Sequence, residues 1–363
     1  MSQLAAQENA INLSQGFPNF PSDPVLIEMV QQAMRENYNQ YAPMAGASIL
    51  REAIAEKMEY MYQRNYNPET EIVVTAGATQ AIFTIVSAFV RPNDEVIIFT
   101  PAYDCYAPAV EAHGGTVIPI QLQGKDFSVD WDEVRSKISS KTKLMIINTP
   151  HNPSGTVLSK EDMLELTSIL ENTNIILLSD EVYEHIIFDD AQHQSVALFP
   201  KLAERAFITA SFGKTFHNTG WKMGYCVAPK ALMDEYKKVH QFNVFSVNHP
   251  MQIGIGKYLK NPDNYLQLPA FFQEKRDFFL NEIKDSRFTW TPSQGTYFQV
   301  LSYEDITDEA DTAFAKRLTR EHKIASIPLS VFNTNKEDHK LLRFCFAKTE
   351  ETLAAAAKII NQI

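Results

Sequence analysis

The 363-residue sequence is poor in cysteine, in glycine motifs and in long apolar runs. Its three cysteines, Cys105, Cys226 and Cys345, include no CxxC pair, so neither a disulfide framework nor a zinc site is indicated and a reducing compartment fits. None of its 13 glycines forms GxGxxG or GxxxxGK[ST], which removes support for a Rossmann dehydrogenase or a Walker-type nucleotide site. No apolar stretch approaches the ~18 residues needed to span a bilayer. The segment from Met1 to Gln15 shows no basic stretch followed by an apolar run, so no signal peptide is predicted. Positive charge is in the minority, with 33 Lys and Arg against 44 Asp and Glu, and the net charge is −11. That balance argues against nucleic acid or a membrane surface as partner and leaves room for a local basic pocket holding a small anion. The expectation is a cytoplasmic α/β enzyme or binding protein with no metal site.

What is present is a repeated alternation of short β-branched runs with amphipathic stretches. Strands are predicted at Ile72 to Thr75, Glu95 to Phe99, Thr116 to Ile120, Leu144 to Asn148, Ile175 to Ser179, Ala206 to Ala210 and Met223 to Ala228. Most are continuous apolar runs, as in strands covered on both faces. Their β-α-β order implies an open, mostly parallel sheet with helices on both sides. After about Met251 the character changes. Helices at Pro250 to Lys260 and Leu268 to Lys284 precede strands at Tyr297 to Leu301, Ile324 to Ile327 and Leu341 to Phe346, then a closing helix from Glu350. This reads as a smaller α+β domain. Pro18, Pro21 and Pro24 suggest an extended arm near the start.

Ligands of open α/β sheets bind beyond the carboxyl ends of the strands, and there the unusual polar residues gather. Gly77-Ala78-Thr79 precedes an apolar helical run starting near Ala81. It is either a simple cap made by Thr79 or an anion site of backbone N–H groups. Ser211-x-x-Lys214 and Lys222 lie among Phe212, Phe216, Trp221 and Met223; desolvation there would lower an amine's pKa and make it a nucleophile toward carbonyls. Asp180 ends an apolar run, where a carboxylate needs a partner: a protein cation or the protonated nitrogen of a pyridine ring. Asn152 and Tyr183 could hydrogen-bond a ring oxygen, and Tyr103 could lie on a ring face. Arg343 sits in the apolar strand Leu341 to Phe346 and needs a carboxylate, from the protein or from a substrate.

The segment Ser211-Phe212-Gly213-Lys214-Thr215 with Gly220-Trp221-Lys222-Met223-Gly224-Tyr225 resembles the lysine signature of fold type I, class I/II aminotransferases. Asn148 to Gly155 and Ser179-Asp180-Glu181-Val182-Tyr183 resemble two further landmarks of that family. Asn12 to Pro18, Pro101 to Tyr106 and Arg343-Phe344-Cys345-Phe346 are similar to the kynurenine aminotransferase/glutamine transaminase K group, most closely its bacterial methionine aminotransferase branch. The resemblance implies a large domain on a mostly parallel seven-stranded sheet and a smaller α+β domain. The boundaries would be 1–33 for an N-terminal arm with part of the small domain, 34–252 for the large cofactor domain and 253–363 for the small domain.

It further implies pyridoxal 5′-phosphate held as a Schiff base on Lys214, which would also act as general base. Asp180 would meet the ring nitrogen, Asn152 and Tyr183 the ring oxygen, and Tyr103 the ring face. Ala78, Thr79, Ser211 and Lys222 would bind phosphate, joined by Tyr41 from the other subunit of a homodimer. Gly16, Phe17, Asn152 and Arg343 would receive the substrate. The implied reaction is ping-pong transfer of an amino group from methionine or an aromatic amino acid to a 2-oxo acid. A cis Asn152–Pro153 bond is also implied. The chain starts almost at its first helix, whereas the family usually carries an arm upstream of it. The competing readings are a cysteine-S-conjugate or cystathionine β-lyase on the same fold, and a non-catalytic cofactor sensor.

Overall fold

The structure, a computed structural model, describes residues 1–363. Its strands are β1 (Ile11–Asn12), β2 (Ile72–Thr75), β3 (Glu95–Thr100), β4 (Thr116–Gln121), β5 (Thr142–Asn148), β6 (Ile176–Asp180), β7 (Ala206–Ser211), β8 (Gly224–Val227), β9 (Phe298–Ser302), β10 (Ile324–Ala325), β11 (Ile327–Pro328) and β12 (Leu341–Cys345). Seven of them form one sheet in the order β2-β8-β7-β6-β5-β3-β4. All neighbours are parallel except β8, which runs antiparallel to both β2 and β7. The class is α/β, as the run order implied.

The continuous apolar runs are explained by the pleat, since alternate residues of a strand face opposite sides. Met145, Ile147, Leu177 and Ile208 join one hydrophobic cluster, while Leu144, Ile146, Leu178 and Phe207 join the other. Both faces of the sheet are therefore core, and strict alternation of apolar and polar residues could not occur. The helix Lys160–Leu170 opens on a serine cap. Ser159 accepts from the Asp162 N–H at 3.0 Å, and Asp162 returns a bond to the Ser159 N–H, a reciprocal cap. Helix His249–Leu259 packs on helices Pro24–Arg35 and Ser48–Tyr62. At its Gly254 an added Cβ would stand 2.4 Å from Val30 Cγ2, so the close approach there needs glycine.

A second sheet of order β11-β12-β9 is antiparallel, and β1 pairs in parallel with β10. Two local expectations change. Ile324 to Ile327 is two strands rather than one: Ser326, fully buried, separates a part that pairs with β1 from a part that pairs with β12. Pro24 opens a helix as its first residue, with Asp23 accepting from the Val25 N–H at 2.7 Å, because proline suits a position whose N–H has no intrahelical partner.

Below the loop that follows β6 lies a buried ion pair. Lys57 donates to Glu184 at 2.7 Å and to the Tyr225 hydroxyl at 2.9 Å, and Tyr62 donates to Glu184 at 2.6 Å. Burial alone would push the Glu184 carboxyl up; Lys57 and these hydrogen bonds outweigh it and hold the group below the ordinary range.

Candidate active site

The carboxyl ends of β2, β3, β5, β6 and β7 and the start of β8 converge on a cavity of about 110 Å³. Its wall includes Ala78, Thr79, Tyr103, Asn152, Asp180, Tyr183, Ser211, Lys214 and Lys222. A larger cleft, about 770 Å³, is lined by Ser154, Gly155, the Gln121 to Phe127 turn and residues of the second sheet. It contains neither Lys214 nor Asp180, both of which line the smaller cavity.

Lys214 lies in the short helix Phe212–Thr215, directly after β7. Its amine donates to the Gly16 carbonyl at 3.2 Å and to the Tyr297 hydroxyl at 2.9 Å. Burial brings its pKa down to about 8, helped by the positive charge of Arg343 and Lys222 and opposed by Cys345 and Asp180. Asp180 is the last residue of β6 and is 3% exposed. Burial pushes its pKa up to about 6, against the 2.6 Å hydrogen bond from Tyr106 and a 3.3 Å bond from the Val182 N–H. No Lys or Arg lies in salt-bridge contact with it, so the protein supplies donors but no paired cation.

The other end of the cavity gathers groups that can donate to an anion. Gly77, at φ +81°, precedes helix Ala78–Phe89, whose first turn has no side-chain cap. The helix begins at Ala78 rather than near Ala81. Thr79 does not cap it; its hydroxyl lies 3.3 Å from that of Tyr103. The Lys222 Nζ approaches within 3.5 Å of where a Gly77 Cβ would be. Strand register places Thr75 opposite Gly224 and Gly224 opposite Ser211. A Cβ on Gly224 would lie 2.6 Å from the Ala210 carbonyl and 3.1 Å from the Ala78 nitrogen. A helix start without a side-chain cap, the Ser211 hydroxyl and the Lys222 amine thus border one cavity.

Arg343, on β12, is 5% exposed and reaches Asn152 Oδ1 at 2.6 Å and the Ser14 carbonyl at 3.3 Å. Its guanidinium carbon lies 3.8 Å from the centre of the Phe298 ring, and its Nε has no hydrogen-bond partner. No Asp or Glu neutralises it within salt-bridge distance, which leaves a buried fork of donors suited to a carboxylate. Gly16 contributes its carbonyl to Lys214, and the Phe17 ring lies 4.8 Å from Lys348 Nζ. Tyr41 is outside the cavity wall, 79% exposed, its ring edge-on to Phe245 at 5.2 Å. The Asn152–Pro153 bond is cis, as are Thr100–Pro101 and Thr149–Pro150.

Three side chains here were not singled out from sequence. Tyr106 holds Asp180, Tyr297 holds Lys214, and Asn148 donates to the Asp180 carbonyl at 2.8 Å while accepting from the Asn152 N–H at 2.8 Å. Tyr106 lay within the quoted Pro101 to Tyr106 segment. Asn148 had a signal too, as a polar residue ending an apolar run beside Asp180. Tyr297 had none, since its partners are 83 and 281 positions away.

The family model "Aminotransferase class I and II" matches residues 8–360. Methionine aminotransferase of Escherichia coli is 48% identical over 364 residues, covering 100% of this chain and 94% of that protein. Human kynurenine–oxoglutarate transaminase 3 is 33% identical, covering 99% of this chain and 86% of that protein. A solved Escherichia coli structure ascribed a methionine aminotransferase function superposes with a TM-score of 0.98 at 47% identity, covering 100% of this chain and 96% of that one.

Proposed function

We propose, from the premise that this chain belongs to the class I and II aminotransferases, that it transfers the amino group of methionine or an aromatic amino acid to a 2-oxo acid, using pyridoxal 5′-phosphate held on Lys214. The observation that carries this reading is a half-buried lysine with a pKa near 8 sharing a cavity with a buried aspartate that has no protein cation.

The residues present fit the cofactor. The uncapped helix start at Ala78 and Thr79, with Ser211 and Lys222, suits its phosphate. Asp180 suits a protonated ring nitrogen, Asn152 and Tyr183 suit the ring oxygen, and Tyr103 suits the ring face. When bound, the cofactor supplies an aldehyde for the amino group and a ring that withdraws electrons from the substrate Cα. Asp180 would hold the proton on that ring nitrogen. Lys214, its amine lowered toward neutrality and lining the same cavity, would serve as the general base that takes the substrate Cα proton and the acid that gives it back. Arg343 takes the substrate carboxylate in its fork and holds Cα within the lysine's reach. Asn152, already bonded to Arg343, couples substrate binding to the ring oxygen.

Substrate preference rests on the methionine and kynurenine enzymes to which the chain is similar and on the apolar side chain of Phe17. A homodimer is supported by an exposed apolar group, Tyr41 at 79%, Phe242 at 86% and Phe245 at 47%. Within it, Tyr41 would complete the phosphate site of the opposite subunit. A cytoplasmic place is supported by three free cysteines. Domain limits at 1–33, 34–252 and 253–363 are part of the same reading.

The test is the visible spectrum of the cofactor-loaded protein before and after methionine, with no acceptor present. Bleaching of the yellow form with one equivalent of 2-oxo acid, absent in Lys214→Ala, is the expected result. Steady release of pyruvate and ammonia from cystathionine without acceptor, and no bleaching by methionine, would replace it with the β-lyase reading. A protein that binds cofactor and converts neither substrate would make it a sensor.

A further inference from the structure

Tyr297 precedes β9 and is fully buried. Its hydroxyl lies 2.7 Å from the Gly16 carbonyl and 2.9 Å from the Lys214 amine. A carbonyl can only accept, so the single phenolic proton goes to Gly16, and toward Lys214 the phenol oxygen can only accept. The Gly16 carbonyl is a second acceptor for the same amine, at 3.2 Å. A neutral amine has two N–H bonds and one lone pair. With both N–H bonds drawn to these oxygens, one direction remains for the lone pair. Neither Gly16 nor Tyr297 belongs to the cavity wall, whereas Lys214 does.

We propose that Tyr297 is a positioning residue that, with the Gly16 carbonyl, aims the Lys214 lone pair into the cofactor cavity. This rests on the reading of Lys214 as the Schiff-base lysine and deepens it. The aim matters both when the amine attacks an aldehyde and when it receives the Cα proton, because each uses that lone pair. The charged or titratable groups around the amine are Asp180 on β6, Lys222 before β8, and Arg343 and Cys345 on β12, with the Tyr183 ring centre 5.7 Å away. None of them hydrogen-bonds Nζ; Gly16 and Tyr297 alone do. The Tyr297 ring also packs edge-on to Tyr183 at 5.1 Å and Phe298 at 5.0 Å, contacts a phenylalanine would keep.

The experiment compares full-length wild type and Tyr297→Phe, both stripped of cofactor. Trace labelling with acetic anhydride at a series of pH values, mapped to the Lys214 peptide, gives the amine's titration midpoint. Wild type should titrate near 8. Losing an acceptor that favours the ammonium should move the variant's midpoint down by about half to one pH unit. Schiff-base formation of the deprotonated amine with pyridine-4-carboxaldehyde should slow severalfold. Site-specific 3-fluorotyrosine at 297 keeps the shape and weakens the acceptor, and should give a smaller shift in the same direction. An unmoved midpoint, or one raised toward an ordinary lysine as loosened packing admits water, would overturn the proposal. The underlying reading is tested separately by borohydride reduction of the loaded wild type. A pyridoxyl group found on another residue defeats the role of Lys214 without touching the measured midpoints.

Discussion

Asparagine in place of Asp180 should make the cofactor-free protein more stable while disabling it. The carboxyl is held near 6 by burial, against 3.8 for an ordinary aspartate. At about 1.36 kcal/mol per pH unit, keeping it ionised at neutral pH costs the fold about 3 kcal/mol. Asparagine carries no charge and can still accept from the Tyr106 hydroxyl; it forgoes the long Val182 contact, so a gain of about 2 kcal/mol is expected. The sign follows from the raised value. Below 3.8 the aspartate is protonated folded or unfolded, and the two proteins should differ little. Between 3.8 and 6 the unfolded chain ionises more readily than the folded one, and wild type loses ground as pH rises. Above 6 the gap is constant. Urea midpoints of the stripped proteins at pH 4, 5, 6.5 and 8 measure it. A difference that does not open between pH 4 and 6, or a variant weaker at pH 8, would refute the assignment of Asp180 as a buried charge without a protein cation.

Lys57→Met should cost about 3–5 kcal/mol in urea unfolding by stranding the buried Glu184 carboxylate, and adding Glu184→Gln should recover part of it; a single-variant loss below about 1 kcal/mol would mean the pair is not buried as described. Arg343→Met should raise KM for methionine about 10²-fold or more with a smaller change in kcat, read from steady-state kinetics, and an unchanged KM would remove Arg343 from carboxylate binding. Gly224→Ala pushes a methyl against the Ala210 carbonyl and the Ala78 nitrogen, and should weaken cofactor binding about tenfold or more in a fluorescence titration. Unaltered affinity there would show that the strand register does not shape the phosphate site.

The sheet and the polar residues along its carboxyl edge could be read from sequence because each depends on local signals. Runs such as Leu144 to Asn148 declare a doubly covered strand, and a polar residue at the end of such a run, like Asp180, declares itself by being out of place. What could not be read was partnership across the chain. The protein partners of Arg343 lie 191 and 329 positions away, Asn152 and Ser14, neither of them acidic. The same distance hid Tyr297. Short elements were misjudged for a related reason: the division at Ser326 arises because two different sheets claim adjacent residues, which no window of sequence contains.

In the large sheet β8 alone runs against its neighbours, and it joins the margin to the interior. β2 is the margin of the large sheet, four residues paired only with β8, its outer side touched by the bond from the Val74 N–H to the Ala45 carbonyl at 2.9 Å. Through β8 its last residue shares a row with Ser211. A ligand bridging Ala78, Ser211 and Lys222 therefore buttons the margin to the interior. At a hundredfold excess over Kd such binding adds about 2.7 kcal/mol to any opening that must expel it. Amide hydrogen exchange at Val73 to Thr75 then becomes a gauge of occupancy, slow when the site is filled and quick when the strand can fray.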